Sequence, residues 1–179
     1  NILNLLNIFG NIMANKGERH RLSLIIATLG PSTDNEKELL TMITAGIARQ
    51  WTDGVDIARV VYNDGEETII NRVNIFRDQC SKRNFDTSVY LDTDDTDTEN
   101  FEKYLSLAKV INPKYLSIPK TFGLDMISEA KKHFKNEMLI GVRVKENDDI
   151  SDIESYFEIA DFVMVELDSK KIVDEKIVE

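Results

Sequence analysis

Six short apolar runs punctuate the chain, and between successive runs lies a segment with the charge and apolar spacing of an amphipathic helix. The runs are Leu22–Leu29, Val55–Tyr62, Thr87–Leu91, Tyr115–Ile118, Met138–Val144 and Phe162–Val165. Short runs of this kind, rich in β-branched residues, read as strands buried on both faces. After the first run Gly30-Pro31-Ser32 breaks the chain, and a helix opens at about Asn35 that carries Leu39, Leu40, Met42 and Ile43 inward. Glu66–Cys80 places Ile69, Val73 and Phe76 on one face, with acids in its first turn. Asn100–Val110 turns Phe101, Tyr104, Leu105 and Ala108 inward, and Leu124–Phe134 and Ile150–Ile159 complete the helices. Strict alternation of strand and helix predicts an α/β fold of parallel strands joined by right-handed crossovers. The pattern alone leaves two outcomes open, a flat doubly wound sheet or one that curls toward a barrel.

With 179 residues, 42% of them hydrophobic, the chain is one domain's worth of sequence. Its net charge of -10 excludes a broad basic field, so nucleic acid and anionic membranes are not expected partners. No apolar stretch approaches the ~20 residues that span a bilayer. A single cysteine, Cys80, excludes an intrachain disulfide and a CxxC site, and a reducing cytoplasmic setting is expected. At the N-terminus, Ile2, Leu5, Leu6, Phe9 and Ile12 fall at helical spacing. Residues 1–21 are therefore expected to form an amphipathic helix or a leader, and residues 22–179 the folded body.

Several segments together resemble pyruvate kinase. Ser23-Leu-Ile-Ile-Ala-Thr-Leu-Gly-Pro-Ser-Thr33 is similar to that family's opening strand and T-I-G-P-x-S turn. Gly54-Val-Asp-Ile-Ala-Arg-Val-Val-Tyr-Asn-Asp-Gly65 is similar to G-M-N-V-A-R-L-N-F-S-H-G, and Val89-Tyr-Leu-Asp-Thr93 to V-A-L-D-T. Val144-Lys-Glu-Asn147 and Ala160-Asp-Phe-Val-Met-Val165 stand where the family has A-K-I-E-N and A-D-G-I-M-V. The resemblance implies a parallel, partial (β/α) TIM-type barrel of about six strands, without the family's lid domain and C-terminal domain. It settles the open question in favour of a barrel, with the site at the carboxyl ends of the strands.

The same resemblance supplies candidate residues. Arg59 and Lys145 would contact the phosphoryl group as substrate-binding and catalytic residues. Glu146 and Asp168 would hold Mg2+, one carboxylate on each of two adjacent strand ends. Asp92 and Thr93, with Asn63, would form a K+ site. Departures accompany each match. The isoleucine between the family's lysine and glutamate is deleted, which shifts one side chain off the pleat. Glu166-Leu-Asp-Ser-Lys170 replaces A-R-G-D-L-G, and Val61 stands where the family has a potassium-binding asparagine. The acidic run Asp92, Asp94, Asp95, Asp97, Glu99 lacks the glycine and spacing of a calcium loop and reads as a solvated turn.

Two functions are consistent with this pattern. The favoured one is a degenerate, non-catalytic pyruvate kinase relative that serves as a structural or regulatory subunit. Its protein partner would be a full-length pyruvate kinase subunit or a larger assembly covering the open sheet edges. The alternative is a minimal active pyruvate kinase, converting phosphoenolpyruvate and ADP to pyruvate and ATP in glycolysis, alone or within a complex.

Overall fold

The computed structural model describes residues 24–44, 54–63, 65–93, 98–135 and 137–167. The expected N-terminal helix, Trp51, Asp94, Asp95, Asp97 and Asp168 lie outside these residues. Strands β1 (Ile26–Thr28), β2 (Ile57–Val61), β3 (Ser88–Asp92), β4 (Tyr115–Pro119), β5 (Leu139–Lys145) and β6 (Phe162–Glu166) pair in sequence order. Every neighbouring pair is parallel. Helices α1 (Glu36–Thr44), α2 (Glu66–Ser81), α3 (Phe101–Ile111), α4 (Gly123–Phe134) and α5 (Ile153–Phe157) occupy the crossovers. The result is a curled six-stranded half-barrel of the TIM type, as the sequence led us to expect.

Side chains alternate across each strand, and the alternation sorts them into two layers. Ala58, Val60, Val89, Leu91, Leu116, Ile118, Ile140, Val142 and Val144 are buried in one core with Ile69, Val73 and Phe76 of α2, Tyr104, Leu105 and Ala108 of α3, and Ile127, Ala130 and Phe134 of α4. The opposite, concave face carries Arg59, Tyr90, Asp92, Ser117, Gly141 and Arg143. One layer is thus almost wholly apolar and the other is polar toward the carboxyl ends of its strands.

Beneath that polar layer lies an aromatic floor made possible by a glycine. Gly141 pairs in register with Phe162, and a Cβ on residue 141 would overlap the Phe162 ring. Without that Cβ the ring stands edge-on to Tyr115, at 5.8 Å between centroids, and to Tyr90, at 6.2 Å. Phe162 thereby fills interior space beneath the cluster on β3, β4 and β5.

The turn after β1 is fixed to α2 by a two-pronged ion pair. Arg72 donates from Nε to Asp34 Oδ1 at 2.5 Å and from Nη2 to Asp34 Oδ2 at 2.8 Å. Arg72 itself is buried, and its guanidinium holds the Asp34 carboxyl below its ordinary pKa.

One expectation about burial is corrected. The first apolar run is not covered on both faces: Leu24, Ile25 and Ile26 are exposed, Ile26 by 51%. The reason is topological, since β1 is an edge strand with a neighbour only on its β2 side. Val165 and Leu167 are similarly exposed at the β6 edge. The expectation of a protein partner rests on these two edges.

Candidate functional site

The carboxyl ends of β2 to β6 bring together an ionic cluster centred on Asp92. Asp92 is the last residue of β3 and is fully buried, at 0% exposure. Arg59 reaches it from β2, donating from Nε at 2.9 Å and from Nη2 at 2.5 Å, both to Oδ2. The other oxygen, Oδ1, accepts the Thr93 backbone N–H at 2.9 Å and the Ser117 hydroxyl from β4. Arg143 enters from β5 with its Nε 3.8 Å from Oδ1 and its Nη1 3.4 Å from Glu166 Oε2 on β6. Arg143 is 1% exposed, while the Glu166 side chain is 41% exposed at the rim.

Strand periodicity explains why these groups meet. Arg59 and Tyr90 are paired Cα partners, Asp92 follows two residues after Tyr90, and Gly141, Arg143 and Lys145 alternate on one face of β5. A carboxylate buried this deeply requires a cationic partner, and here it has two. One fixed negative charge against two positive ones leaves a local positive excess, offset only at the rim by Glu166.

Tyr104 supports the cluster from the helical layer. Its hydroxyl, on α3, shares its proton between the carbonyl oxygens of Leu91 at 3.0 Å and Ser117 at 2.9 Å. Complete burial pushes this phenol well above its ordinary pKa, so it stays a donor.

The structure places the sequence-derived candidates unevenly. Arg59, Asp92 and Thr93 converge in the cluster. Lys145 and Glu146 are exposed at the end of β5, where the Lys145 N–H donates to Asp148 Oδ2 at 2.7 Å. Asn63 is exposed beyond β2, and Asp168 lies outside the described residues. The expected K+ site is not formed as envisaged. Both Asp92 oxygens are occupied, and two guanidinium groups already supply positive charge where K+ would sit. Among the described residues no group of three or more His, Cys, Asp or Glu side chains converges in a way that could hold a metal. Arg143, Ser117, Glu166 and Tyr90 were not singled out from the sequence. The available signal was period-two placement: an arginine inside Leu139–Lys145 on the face shared with Gly141.

No protein-family model matches the chain. No curated protein matches it either. Solved structures do. A provisionally assigned phosphonomutase from Burkholderia cenocepacia J2315 superposes with a TM-score of 0.62 at 11% identity, over 97% of this chain and 72% of that one. A 2,3-dimethylmalate lyase of the PEP mutase/isocitrate lyase superfamily superposes with a TM-score of 0.58 in its triclinic and trigonal crystal forms. Identity is 12% and 14%, over 82% of this chain and 54% and 52% of the lyase chains. The chain thus spans about half the length of the lyase it matches.

At such identities the likeness establishes the fold. It also corrects the family reading, because these neighbours are a phosphonomutase and a lyase, not pyruvate kinases. The physical cause of the error is visible in the structure. The segments quoted for pyruvate kinase are mostly strand and strand-end sequence, such as Ile57–Val61, Ser88–Asp92 and Phe162–Glu166. Parallel strands buried under helices converge on similar apolar sequences in unrelated barrels. The glycolytic role, the degenerate pyruvate kinase subunit and the minimal active pyruvate kinase all fall with that resemblance.

Among the described residues no helix is long and apolar enough to cross a membrane.

Proposed function

We propose that the chain forms the substrate-binding part of an enzyme of the mutase or lyase kind, acting on a small acid that carries a carboxylate or phosphonate beside the bond that is broken. One observation carries this reading: Arg59 and Arg143 share a single buried carboxylate, Asp92, at the carboxyl ends of barrel-type strands. Active sites of such barrels lie at that end. Arginine presents a planar fork suited to carboxylate and phosphonate oxygens. Asp92, itself fixed by Ser117, holds the guanidinium groups in place before any ligand arrives, so little ordering cost remains on binding. The names of the phosphonomutase and the dimethylmalate lyase, whose folds match, agree with a small anionic substrate.

Mg2+ belongs to the same proposal. Mg2+ takes one or two protein carboxylates and leaves its other positions to water and substrate. Glu146 and Glu166 offer hard oxygen donors at the neighbouring ends of β5 and β6, where the Glu146 N–H donates to the Glu166 carbonyl at 3.0 Å. When bound there, the cation would offset negative charge on the substrate's oxygens. Arg59, Arg143 and Lys145 would bind and orient the anion, and Asp92 would fix the arginines. The cytoplasm is the proposed setting, in keeping with the buried, unpaired Cys80 thiol.

Calorimetric titration with oxalate and with methylphosphonate tests the proposal. A chain of net charge -10 repels anions in general, so saturable binding must come from a local cationic site. The expected result is saturable binding that weakens at least about tenfold in Arg59→Gln, the loss of one charge-assisted hydrogen-bonding group. Absence of binding of both anions, with and without Mg2+, would overturn the proposal.

A further inference from the structure

Tyr90 is the buried side-chain hydroxyl that, among the described residues, makes no hydrogen bond of good geometry. Its side chain is 3% exposed, and its ring is held edge-on by Phe162. On the strand ladder it stands beside Arg59, two residues before Asp92 on the same face. Its hydroxyl lies within the electrostatic reach of Asp92, Arg59 and Arg143, with the Ser117 hydroxyl beside it. The Ser117 hydroxyl gives its own proton to Asp92, so toward Tyr90 its oxygen is an acceptor only, and the two form no hydrogen bond of good geometry. Burial, reinforced by the Asp92 charge, pushes the phenol far above its ordinary pKa. Tyr90 therefore keeps its proton throughout the working range. A buried donor left unused is costly, and native proteins carry few of them.

We propose that Tyr90 donates its phenolic hydrogen bond to an oxygen of the bound carboxylate or phosphonate, beside the Arg59 guanidinium, and so selects ligands with an accepting oxygen at that depth. This rests on the anion-binding reading above. Three features support the assignment. The aromatic floor of Phe162 and Tyr115 holds the ring in one orientation, which pre-organises the donor. Arg59, the partly exposed member of the cluster, flanks Tyr90, so an anion that engages Arg59 arrives next to the phenol. A neutral phenol adds a donor without adding charge, which suits a site where two arginines already outnumber Asp92. A lysine in its place would require a further buried counter-ion.

The test compares the full chain with Tyr90→Phe, titrated with oxalate and methylphosphonate by calorimetry and by ultraviolet difference absorbance in the tyrosine band. In the wild type the expected result is saturable binding accompanied by a tyrosine difference spectrum. In Tyr90→Phe affinity is expected to fall about 10- to 100-fold, the range for a hydrogen bond to a charged group. The difference spectrum should vanish, while the melting temperature stays the same or rises. Affinity within twofold of wild type would show that Tyr90 does not touch the anion and would overturn this inference while leaving the anion site standing. A large fall in melting temperature would reveal a structural partner for the hydroxyl and would overturn it too. If the wild type binds neither anion, the underlying reading fails and this inference fails with it.

Discussion

Asp92→Asn removes one charge from the centre of the ionic cluster and replaces the oxygen that accepts from Arg59 with an amide NH2. The amide is the same shape as the carboxylate and can still accept from the Thr93 N–H and the Ser117 hydroxyl. What disappears is the negative charge facing Arg59 and Arg143 and the oxygen that accepts both Arg59 hydrogen bonds. Removing one member of a buried ion pair costs about 3–5 kcal/mol, because the remaining charge is left desolvated. Two details pull the value toward the low end. Arg143 retains Glu166 at 3.4 Å, and the Arg59 side chain is 21% exposed and can rehydrate. The expected destabilisation is therefore about 3 kcal/mol. With a urea slope of about 2 kcal/mol/M, the unfolding midpoint should fall by about 1.5 M. Equilibrium urea denaturation followed by far-ultraviolet circular dichroism reads this directly. The double variant Asp92→Asn/Arg143→Met should recover part of the loss, since it removes the stranded cation as well. A midpoint shift below about 0.3 M in Asp92→Asn would show that the carboxylate is not the keystone of the cluster, and the reasoning about the site would fail.

Gly141→Ala forces a Cβ into the Phe162 ring and should cost about 1–3 kcal/mol by overpacking. Phe162→Leu in the same chain should relieve most of that cost, measured by thermal unfolding. The Asp34–Arg72 pair should give the protein a specific acid sensitivity. Because the folded-state pKa of Asp34 lies below its ordinary value of 3.8, the pair's contribution is complete above that pH and is lost as pH falls through the lower folded value. Arg72→Leu should therefore flatten the wild-type loss of melting temperature below about pH 4. An unchanged slope there would assign the acid sensitivity to other carboxylates.

The order of parallel strands and helices was legible in the sequence because it follows from periodicity, whereas the curl toward a barrel came only from the pyruvate kinase resemblance. The expected helix Glu66–Cys80 is observed as Glu66–Ser81, Tyr115–Ile118 as Tyr115–Pro119, and Phe162–Val165 as Phe162–Glu166. Burial at β1 was misjudged because an apolar run does not reveal whether its strand has one neighbour or two. Arg59, Asp92 and Thr93 were named only through the pyruvate kinase resemblance, and the structure places the three together. Arg143 was missed in favour of the adjacent Lys145. Both lie on the same face of β5, and only the depth of the half-barrel, which makes the first buried and the second exposed, separates them. Tyr90 was hidden for a different reason. A tyrosine in a strand reads as packing, and only the three-dimensional neighbourhood shows that its buried hydroxyl makes no hydrogen bond of good geometry.

The position of Tyr104 has a mechanical consequence. Its hydroxyl clasps the carbonyls of Leu91 and Ser117, so α3 sets the spacing of β3 and β4 where Ser117 meets Asp92. The ionic cluster is therefore tensioned from behind, by a helix on the opposite face of the sheet. Small changes in the seating of α3, produced by substitutions on its outer surface or by a neighbour pressing on it, would retune the geometry of Asp92 while every residue on the concave face stayed the same.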